Sequence, residues 1–349
     1  MTFKFFDFCA GIGAGHSALS SIGGECIGFS EINKDSEKIY RLLHNQPQDT
    51  LKNWGDLMKL NPYELPDFDM MVAGFPCQTF SIIGKRAGME DKRGTIIYGL
   101  TEILKRKQVK YFLLENVKGL VNHDRGNTLK VILELLDEAG YKVSWKVLRS
   151  SRFGVPQLRD RIYFVGVRKE LVNETFKFQF PSEFEKCNPL SNYLIEKSEK
   201  FSFSESDYGW STFIKYLNNK YNHGKYTVEY LKSLELQIID TRQSDLRIYK
   251  TECPTLRTGR HGLLYVKNGK LRKLSGFESL LLQGFSEIEA RSVEKINNTL
   301  LLSQAGNAFT VNVIKYVAQE MKTQLFENDR VHKSVKTAKA LNKLIFAHG

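Results

Sequence analysis

Cysteine is scarce in this sequence, and no two cysteines lie close together. The five are Cys9, Cys26, Cys77, Cys187 and Cys253, an odd number without a Cys-x-x-Cys pair. Zinc sites and disulfide frameworks both need clustered or paired cysteines. We therefore expect neither a metal site nor a disulfide scaffold, although a lone cysteine in a special context can still serve as a nucleophile.

Long apolar runs, internal repeats and low-complexity tracts are missing as well. No stretch approaches the roughly 18 continuous apolar residues that a membrane-spanning helix requires. Near the N-terminus, Asp7 lies where a signal peptide would continue its apolar run. We therefore expect a cytoplasmic protein without a membrane span.

The chain is long enough for two domains, or for one large domain with an insertion. It has 349 residues, of which 42% are apolar and 12% aromatic, enough for a sizeable core. Lys and Arg number 51 against 39 Asp and Glu, which gives a net charge of +12. An excess of this size favours a polyanionic partner, with nucleic acid as the first hypothesis and a solvated basic surface as the alternative.

The first half of the sequence alternates short apolar runs with amphipathic segments. The runs predict strands at 3–8, 25–30, 69–73, 111–114, 144–148 and 161–167, and the segments predict helices at 16–22, 36–43, 98–106 and 127–139. This alternation predicts an α/β fold with helices on both faces of the sheet. The pattern decays after Arg168 and returns weakly at 262–273 and as an amphipathic helix at 310–325. In the tail, basic residues recur every three to four positions across 330–343, which predicts one basic helix face. The default interpretation of such a face is solvated surface.

A glycine-rich turn follows the first strand and opens a helix. Its glycines allow a ligand to approach the backbone closely, and the helix N-terminus offers free N–H groups. The dinucleotide fingerprint G-x-G-x-x-G is not met, since His16 occupies the place of its third glycine. This favours a nucleoside cofactor without a pyrophosphate, such as S-adenosylmethionine. Glu31, at the end of the second strand, can accept both ribose hydroxyls, and Asp56 can accept the adenine amino group, although either acid can instead cap a helix.

Cys77 follows the strand predicted at 69–73, at the edge where open α/β sheets bind their ligands. Pro76 restricts the backbone just before the sulfur. A phosphatase loop would need arginine at the position of Ile83, and the papain-like context and a redox partner are also missing. A buried structural cysteine is the alternative to a nucleophile.

Two further polar groups end apolar strands. Glu115 emerges from the strand at 111–114, and burial there raises the pKa of a carboxyl group. Gln157, Arg159 and Arg161 would share one face if their segment were extended. Two guanidinium groups on one face suit a carbonyl oxygen, a carboxylate or a phosphate, and a salt-bridged edge strand is the alternative.

Taken in order, these motifs resemble those of the DNA (cytosine-5) methyltransferases. The matching segments are Asp7…Gly11-x-Gly13, Gly74-Phe75-Pro76-Cys77-Gln78, Lys92-Arg93-Gly94-Thr95, Glu115-Asn116-Val117, Gln157-x-Arg159-x-Arg161, Arg272-Lys273-Leu274 with Leu282-Gln283-Gly284-Phe285, and Gln304-Ala305-Gly306-Asn307-Ala308. The resemblance covers about residues 1–170 and 250–325, and the layout is most similar to bacterial restriction–modification methyltransferases. Cys9 departs from the family's Phe, and Gly276-Phe277-Glu278 and Leu281 depart from its Pro-Arg-Glu and Arg.

The resemblance implies a Rossmann-like methyltransferase sheet with a smaller target-recognition domain inserted before the last motif. The implied parts are a catalytic and cofactor-binding domain at 1–181, the small domain at 182–302, and a return to the catalytic domain with the basic tail at 303–349. The implied partners are double-stranded DNA and, functionally, a cognate restriction endonuclease. The resemblance also implies a monomer that methylates carbon 5 of a flipped-out cytosine from S-adenosylmethionine.

The family mechanism assigns a role to each matching residue. Cys77 would add to carbon 6 of cytosine, Glu115 would contact ring nitrogen 3 and the amine, and Arg161 would hold the carbonyl oxygen. Arg159 and Gln157 would support these groups. The implied cofactor-binding residues are Asp7, Phe8, Cys9, Gly11, Gly13, Glu31, Ile32, Asp56, Leu57, Pro76, Leu100, Asn307 and Ala308.

DNA contacts are implied in two regions. The segment 78–95 would close over DNA, with Ile83 entering the emptied base stack, and 241–273 carries nine Lys and Arg against two acids, or 9 − 2 = +7. Arginines there read guanine edges or bind phosphates, and phosphate contact is the favoured role. The expected DNA-binding residues are Ser81, Ile83, Arg86, Arg93, Arg257 and Arg260.

Three other functions stay open at this point. The first is a tRNA cytosine methyltransferase on the same scaffold, which the long stretch 183–255 disfavours. The second is a catalytically silent DNA-binding protein, which the intact Cys77, Glu115 and Arg161 disfavour. The third is an NAD-dependent dehydrogenase, which His16 disfavours.

Overall fold

A six-stranded mixed sheet forms the centre of the protein. The computed structural model describes residues 2–47, 50–75 and 96–326. The strands of the first half are β1 Phe3–Phe8, β2 Gly24–Ser30, β3 Met70–Gly74, β4 Tyr111–Val117, β5 Tyr141–Arg149, β6 Gln157–Leu158 and β7 Asp160–Arg168. The order across the sheet is β2-β1-β3-β4-β7-β5, with β7 antiparallel to both neighbours and β1 to β4 parallel.

Helices cover both faces of this sheet, as the alternation predicts. They are α1 Ala14–Ser20, α2 Lys34–Leu43, α3 Ile96–Lys107 and α4 Asn127–Glu138. Successive residues of β3 and β4 point to opposite faces, so Val72 and Leu113 join one hydrophobic cluster and Met71 and Phe112 join the other. A sheet buried on both faces explains why its central strands are apolar runs rather than alternating patterns.

The stretch without a clear sequence pattern contains a second, smaller sheet. Its strands are β8 Ile238–Asp240, β9 Arg247–Tyr249, β11 Leu263–Lys267 and β12 Lys270–Lys273, in the order β12-β11-β8-β9, and β10 Cys253–Pro254 pairs in parallel with β6. Helices α5 Trp210–Leu217 and α6 Val228–Lys232 supply Phe213 and Leu231 to a core of its own. These elements are only two to eight residues long, too short for hydrophobic periodicity to reveal them.

Four helices lead back to the central sheet: α7 Gly276–Leu282, α8 Glu287–Ser292, α9 Asn298–Asn307 and α10 Val311–Met321, the last extended by a wide helical turn, Lys322–Phe326. Ser275 and Ser286 cap α7 and α8 in reciprocal side-chain and backbone hydrogen bonds. A Cβ at Gly276 would lie 2.4 Å from Leu301 Cβ, so α7 approaches α9 too closely for the family's proline.

Helices α8 and α9 contact the first part of the chain directly. Ser17 Oγ in α1 donates to Glu289 Oε1 at 2.6 Å, and Ser36 Oγ in α2 donates to Gln304 Oε1 at 2.9 Å. The domain limits at 181 and 302 stay predictions, and α8 contacts α1 although it precedes residue 302. Within the described ranges, no helix combines the length and the apolar character needed to cross a membrane. The predicted basic face at 330–343 lies outside these ranges.

Candidate active site

The predicted site residues at the described strand ends meet at one edge of the sheet. Parallel strands bring their carboxyl ends together, and the register pairs Phe8 with Ser30, Phe8 with Ala73, and Gly74 with Glu115. The glycine turn after β1 and the carboxyl group at the end of β4 therefore open onto the same edge, where open α/β sheets bind ligands.

The turn after β1 requires glycine at two positions for different reasons. Gly11 has φ +55°, and no other described atom lies within 4 Å of where its Cβ would be, so the turn faces open space. Gly13 has φ +84°, and a Cβ there would lie 2.2 Å from His44 Nε2. Gly11 thus leaves room for a ligand, whereas Gly13 allows α2 to pack beneath the turn.

His16, the residue in the place of a third glycine, is a buried support for this turn. Its ring stacks on His44 with centroids 4.1 Å apart, and its Nδ1 lies 2.8 Å from Tyr40 Oη. Burial lowers the pKa of His16 to about 3 and that of His44 to about 4. Both rings are therefore neutral near pH 7, and stacking brings no like-charge repulsion.

Glu31 is held beside the glycine turn by backbone N–H groups. Gly11 N–H donates to Glu31 Oε2 and Asn33 N–H donates to Glu31 Oε1, each at 2.7 Å. The next side chain, Ile32, is 74% exposed although it is apolar. A fixed carboxylate next to an exposed apolar side chain suits a ribose with its attached base.

Asp7 and Cys9 flank the start of the turn. Asp7 is fully buried, and its carboxylate oxygens accept no hydrogen bond from a described side chain or backbone group with good geometry. Burial raises the pKa of Asp7 well above its ordinary value. Burial also raises the pKa of Cys9 to about 12, so this thiol stays protonated and offers a packing surface rather than a nucleophile.

The remaining described cofactor candidates lie between α2 and β3, in α3, at the end of β1 and at the end of α9. Asp56 Oδ1 accepts from Met58 N–H at 3.0 Å, and Leu57 and Leu100 are buried in one cluster. Phe8 and Ala308 are buried, whereas Asn307 is exposed at the end of α9. The structure thus brings Asp56 and Leu57 close to the start of α3, and leaves the side chain of Asn307 accessible.

Glu115 and Arg161 form an ion pair at the same edge. Arg161 Nε lies 3.1 Å from Glu115 Oε1, and the side chains are only 15% and 9% exposed. Burial raises the pKa of Glu115, as expected, while Arg161 and Arg159 partly offset that rise. A nearly buried acid beside a guanidinium can donate a proton and a hydrogen bond to one flat polar ligand.

Asn116 connects this pair to the end of β3. Its Nδ2 donates to Phe75 O at 3.0 Å, at the last described residue before 76–95. Pro76, Cys77, Ser81, Ile83, Arg86 and Arg93 lie outside the described residues. Asn116 was part of a sequence motif, but its contact with Phe75 links two strands and is visible only in three dimensions.

Gln157, Arg159 and Arg161 were expected to share one face if their segment is extended, and the segment is extended only in part, at Gln157–Leu158 and from Asp160 onward. Gln157 N–H donates to Val155 O and Arg159 N–H donates to Gln157 O, so the chain bends twice between β6 and β7. The side chains of Gln157 and Arg159 nevertheless reach the same residue, since Leu256 N–H donates to Gln157 Oε1 and Leu256 O accepts from Arg159 Nη1, each at 3.2 Å. Gln157 Nε2 also donates to Leu282 O at 2.8 Å.

Arg159 contacts three backbone carbonyl groups of later segments. Its Nη1 donates to Leu256 O at 3.2 Å and Gly306 O at 3.1 Å, and its Nη2 donates to Ala308 O at 2.7 Å. Burial and the nearby Arg161 lower the pKa of Arg159 to about 9. Arg159 therefore joins the segment that follows β10 and the end of α9 to the start of β7.

Sequence reasoning missed the buried polar groups around this junction. Gln283 Oε1 accepts from Thr310 Oγ1 at 3.1 Å and lies 3.3 Å from Gln157 Nε2, while Thr310 Oγ1 lies 2.7 Å from Ser150 Oγ. Gln283 lies in a matching motif, which was the only signal. The other partners are distant in sequence and carry no local pattern.

Most cations of 241–273 have structural partners. Arg242 pairs with Asp240 at 2.8 Å, and the other engaged side chains are Arg247, Lys267, Lys270, Arg272 and Lys273. Lys250, Arg257 and Arg260 are exposed and have no ion pair or side-chain hydrogen bond with another described residue. The backbone of Arg257 and Thr258 lies 2.5 Å from where a Cβ of Gly306 would be, so this exposed loop abuts the last motif.

Among the described residues, no cluster of three or more metal-ligating side chains occurs.

Comparison with known proteins identifies the family. The family model for C-5 cytosine-specific DNA methylases matches residues 3–323. The chain belongs to the C-5 cytosine-specific DNA methylase family.

Relatives of this methylase differ in how much of their length they share with it. The type II methyltransferase M.HaeII of Haemophilus aegyptius is 36% identical over 328 residues, covering 93% of this chain and 94% of that one. The orphan methyltransferase M.SPRI of Bacillus phage SPR is 47% identical over 174 residues, or 49% of this chain and 39% of that one. The chain thus spans well under half of M.SPRI.

Solved structures agree with the fold of this methylase. A DNMT2 variant from Spodoptera frugiperda superposes with a TM-score of 0.66 at 22% identity, covering 91% of this chain and 99% of that one. The fold is accordingly the Rossmann-like α/β fold of methyltransferases.

Proposed function

We propose that the protein methylates carbon 5 of cytosine in a specific duplex DNA sequence. The observation that carries this proposal is the nearly buried Glu115–Arg161 pair, with Nε and Oε1 3.1 Å apart, at the same sheet edge as the open turn at Gly11. A proton-bearing acid and a guanidinium side by side match the ring nitrogen, amine and carbonyl edge of cytosine.

The residues of this edge fit S-adenosylmethionine. Gly11 leaves room for a ligand, Glu31 offers acceptors to the ribose, and Asp7 adds a buried carboxyl group at the start of the turn. Asp7, Glu31, Ile32, Asp56 and the other cofactor candidates named above would hold the nucleoside and the amino-acid part. When bound, the cofactor supplies an electrophilic methyl group.

The chain's own groups make the base nucleophilic. Sγ of the Cys77 thiolate forms a bond to carbon 6, and the electrons of the C5–C6 double bond move to carbon 5 while Glu115 protonates nitrogen 3. Arg161 would hold the carbonyl oxygen and stabilise the charge that develops there. Once carbon 5 carries the methyl group, its proton passes to water, the C5–C6 double bond re-forms and the Cys77 thiolate leaves, while nitrogen 3 returns its proton to Glu115.

The substrate and the cellular role follow from the same proposal. The base must leave the duplex to reach the acid and guanidinium, which costs a few kcal/mol in unpairing and unstacking. We place catalysis in 1–181 and 303–349 and target reading in 182–302, because 182–302 includes a small sheet with its own core and an exposed basic loop. The protein would act as a monomer in the cytoplasm and protect host DNA beside a restriction endonuclease.

Transfer of a tritiated methyl group tests the proposal. Wild-type protein with labelled S-adenosylmethionine should label cytosine carbon 5 in DNA, and it should form a denaturation-resistant adduct with DNA containing 5-fluorocytosine, since that ring has no proton to release at carbon 5. The Cys77→Ser variant should form no adduct, whereas Cys187→Ser, remote from the motifs, should form it normally. Absence of label on DNA across varied sequences, or label on tRNA alone, would reject the proposal.

Removing the exposed arginines of the loop between β10 and β11 should weaken DNA binding in a salt-dependent way. Arg257→Ala and Arg260→Ala should each reduce the slope of log affinity against log salt by about one, because each phosphate contact releases about one counterion. Lys146→Ala, an exposed cation on β5, serves as the control and should leave the slope unchanged. Slopes equal to wild type in both arginine variants would contradict phosphate contacts from this loop.

A further inference from the structure

One asparagine outside the sequence motifs contacts both loops that carry the predicted nucleoside-binding acids. Asn53 Oδ1 accepts from the N–H groups of Glu31 at 3.1 Å and Gly55 at 2.9 Å. Asn53 Nδ2 donates to Glu31 O at 3.0 Å. Three bonds from one half-buried side chain therefore connect residue 31 to the residue immediately before Asp56.

The backbone around Asn53 pairs with the carboxyl end of β2, the outermost strand of the sheet. Phe29 N–H donates to Lys52 O at 3.3 Å, and Trp54 N–H donates to Phe29 O at 2.8 Å. Ser30 Oγ donates to Gly55 O at 2.6 Å, and Gly55 has φ +69°, with no other described atom within 4 Å of where its Cβ would be. The loop is thus anchored to β2 up to Gly55 and faces open space there.

Each acid has its own local hydrogen bonds, but these do not set the distance between the two acids. Glu31 is oriented by Gly11 and Asn33, and Asp56 is oriented by Met58 in its own turn. Ser30 Oγ adds one bond to Gly55 O, whereas Asn53 bonds to the backbone of both Glu31 and Gly55. Because hydrogen bonds of this kind fix backbone position, its loss would change the separation of two carboxylates without removing either.

We propose that Asn53 is a positioning residue for the nucleoside part of the cofactor. It holds Glu31 and Asp56 at the separation that matches a ribose and its adenine, and it acts through these acids without touching the reacting atoms. The inference rests on the proposed function, because it assumes that a nucleoside cofactor binds at this edge.

Calorimetric titration of the full chain with S-adenosylhomocysteine measures the effect. Asn53→Ala should raise the Kd about tenfold or more, since three hydrogen bonds of ordinary strength are lost. The KM for S-adenosylmethionine should rise in parallel, whereas kcat at saturating cofactor should stay within about twofold of wild type, the pattern of lost ground-state binding. Asn61→Ala is the matched control, because Asn61 follows in the same connection and, among the described residues, its side chain bonds only to Tyr63 and Glu64.

A double-mutant cycle separates positioning from a general structural role. In a Glu31→Ala background, Asn53→Ala should have a clearly smaller effect on Kd than in wild type, because the group it positions is gone. Asn53→Asp, which keeps the acceptor and lacks the donor, should fold in any case and give a Kd between those of wild type and Asn53→Ala. Fully additive effects, or an Asn53→Ala Kd equal to that of Asn61→Ala, would overturn the inference. A wild-type protein that binds no S-adenosylhomocysteine would instead reject the proposed function.

Discussion

Replacing Glu115 by glutamine should slow methyl transfer by about 10²–10⁴-fold, the usual contribution of a positioned acid. Glutamine has nearly the same shape and can still donate a hydrogen bond, but it cannot deliver a proton to nitrogen 3. The carboxylate in the protein is only 9% exposed and lies 3.1 Å from Arg161 Nε, so no water-borne acid replaces it readily.

The pH dependence of the rate provides a second test of the same residue. The acid form of Glu115 is the active one, and burial raises its pKa, so the protonated fraction persists to higher pH than for an ordinary carboxyl group. Activity that depends on this proton is complete below the raised pKa and falls as pH rises through it. Glu115→Gln should lose that limb of the profile, because its side chain does not titrate.

Single-turnover measurements with saturating DNA and cofactor isolate this chemical step from binding and product release. The Kd for S-adenosylhomocysteine should stay near that of wild type, since Glu115 lies on β4 and the nucleoside-binding acids follow β2 and its loop. Glu138→Gln, an exposed acid at the end of α4, is the control. A Glu115→Gln rate within tenfold of wild type would exclude Glu115 as the proton donor.

Replacing Arg159 by methionine should lower the free energy of unfolding by about 3 kcal/mol or more. The substitution leaves the carbonyl oxygens of Leu256, Gly306 and Ala308 without this donor, and each unsatisfied buried group costs about 1–3 kcal/mol. Relief from burying a charge, which shows in the lowered pKa of Arg159, offsets part of this cost. Methionine keeps much of the side-chain volume, so the loss reports hydrogen bonds rather than a large cavity.

Urea unfolding followed by circular dichroism measures this difference, with the slope of the transition as a check on the mechanism. Arg149→Met is the matched control, because Arg149 pairs with Asp160 at the surface and is 46% exposed, and such pairs contribute only about 0–1 kcal/mol. Arg159→Lys should also be strongly destabilised, since one ammonium group cannot reach three carbonyls in a plane. Equal stabilities for Arg159→Met and Arg149→Met would show that Arg159 does not join the segments in this way.

The central sheet, most of its helices and the glycine turn were predictable from the pattern of residues along the chain. These features are local, since strand and helix periods, glycines at positive φ and capping residues act within a few neighbouring positions. The sequence also predicted that Glu115 would have a raised pKa, because an acid at the end of an apolar strand is buried wherever that strand lies in the sheet.

Which polar side chains contact one another could be seen only in the folded protein. Gln157 and Arg159 bond to segments about 100 to 150 residues later in the chain. Asn53 has no motif at all, and its importance comes from two backbone segments that the sheet edge brings together. Six of nine cations in 241–273 are engaged by partners, which leaves Lys250, Arg257 and Arg260 available. Such long-range contacts depend on how the sheets pack, and no local pattern of residues encodes them.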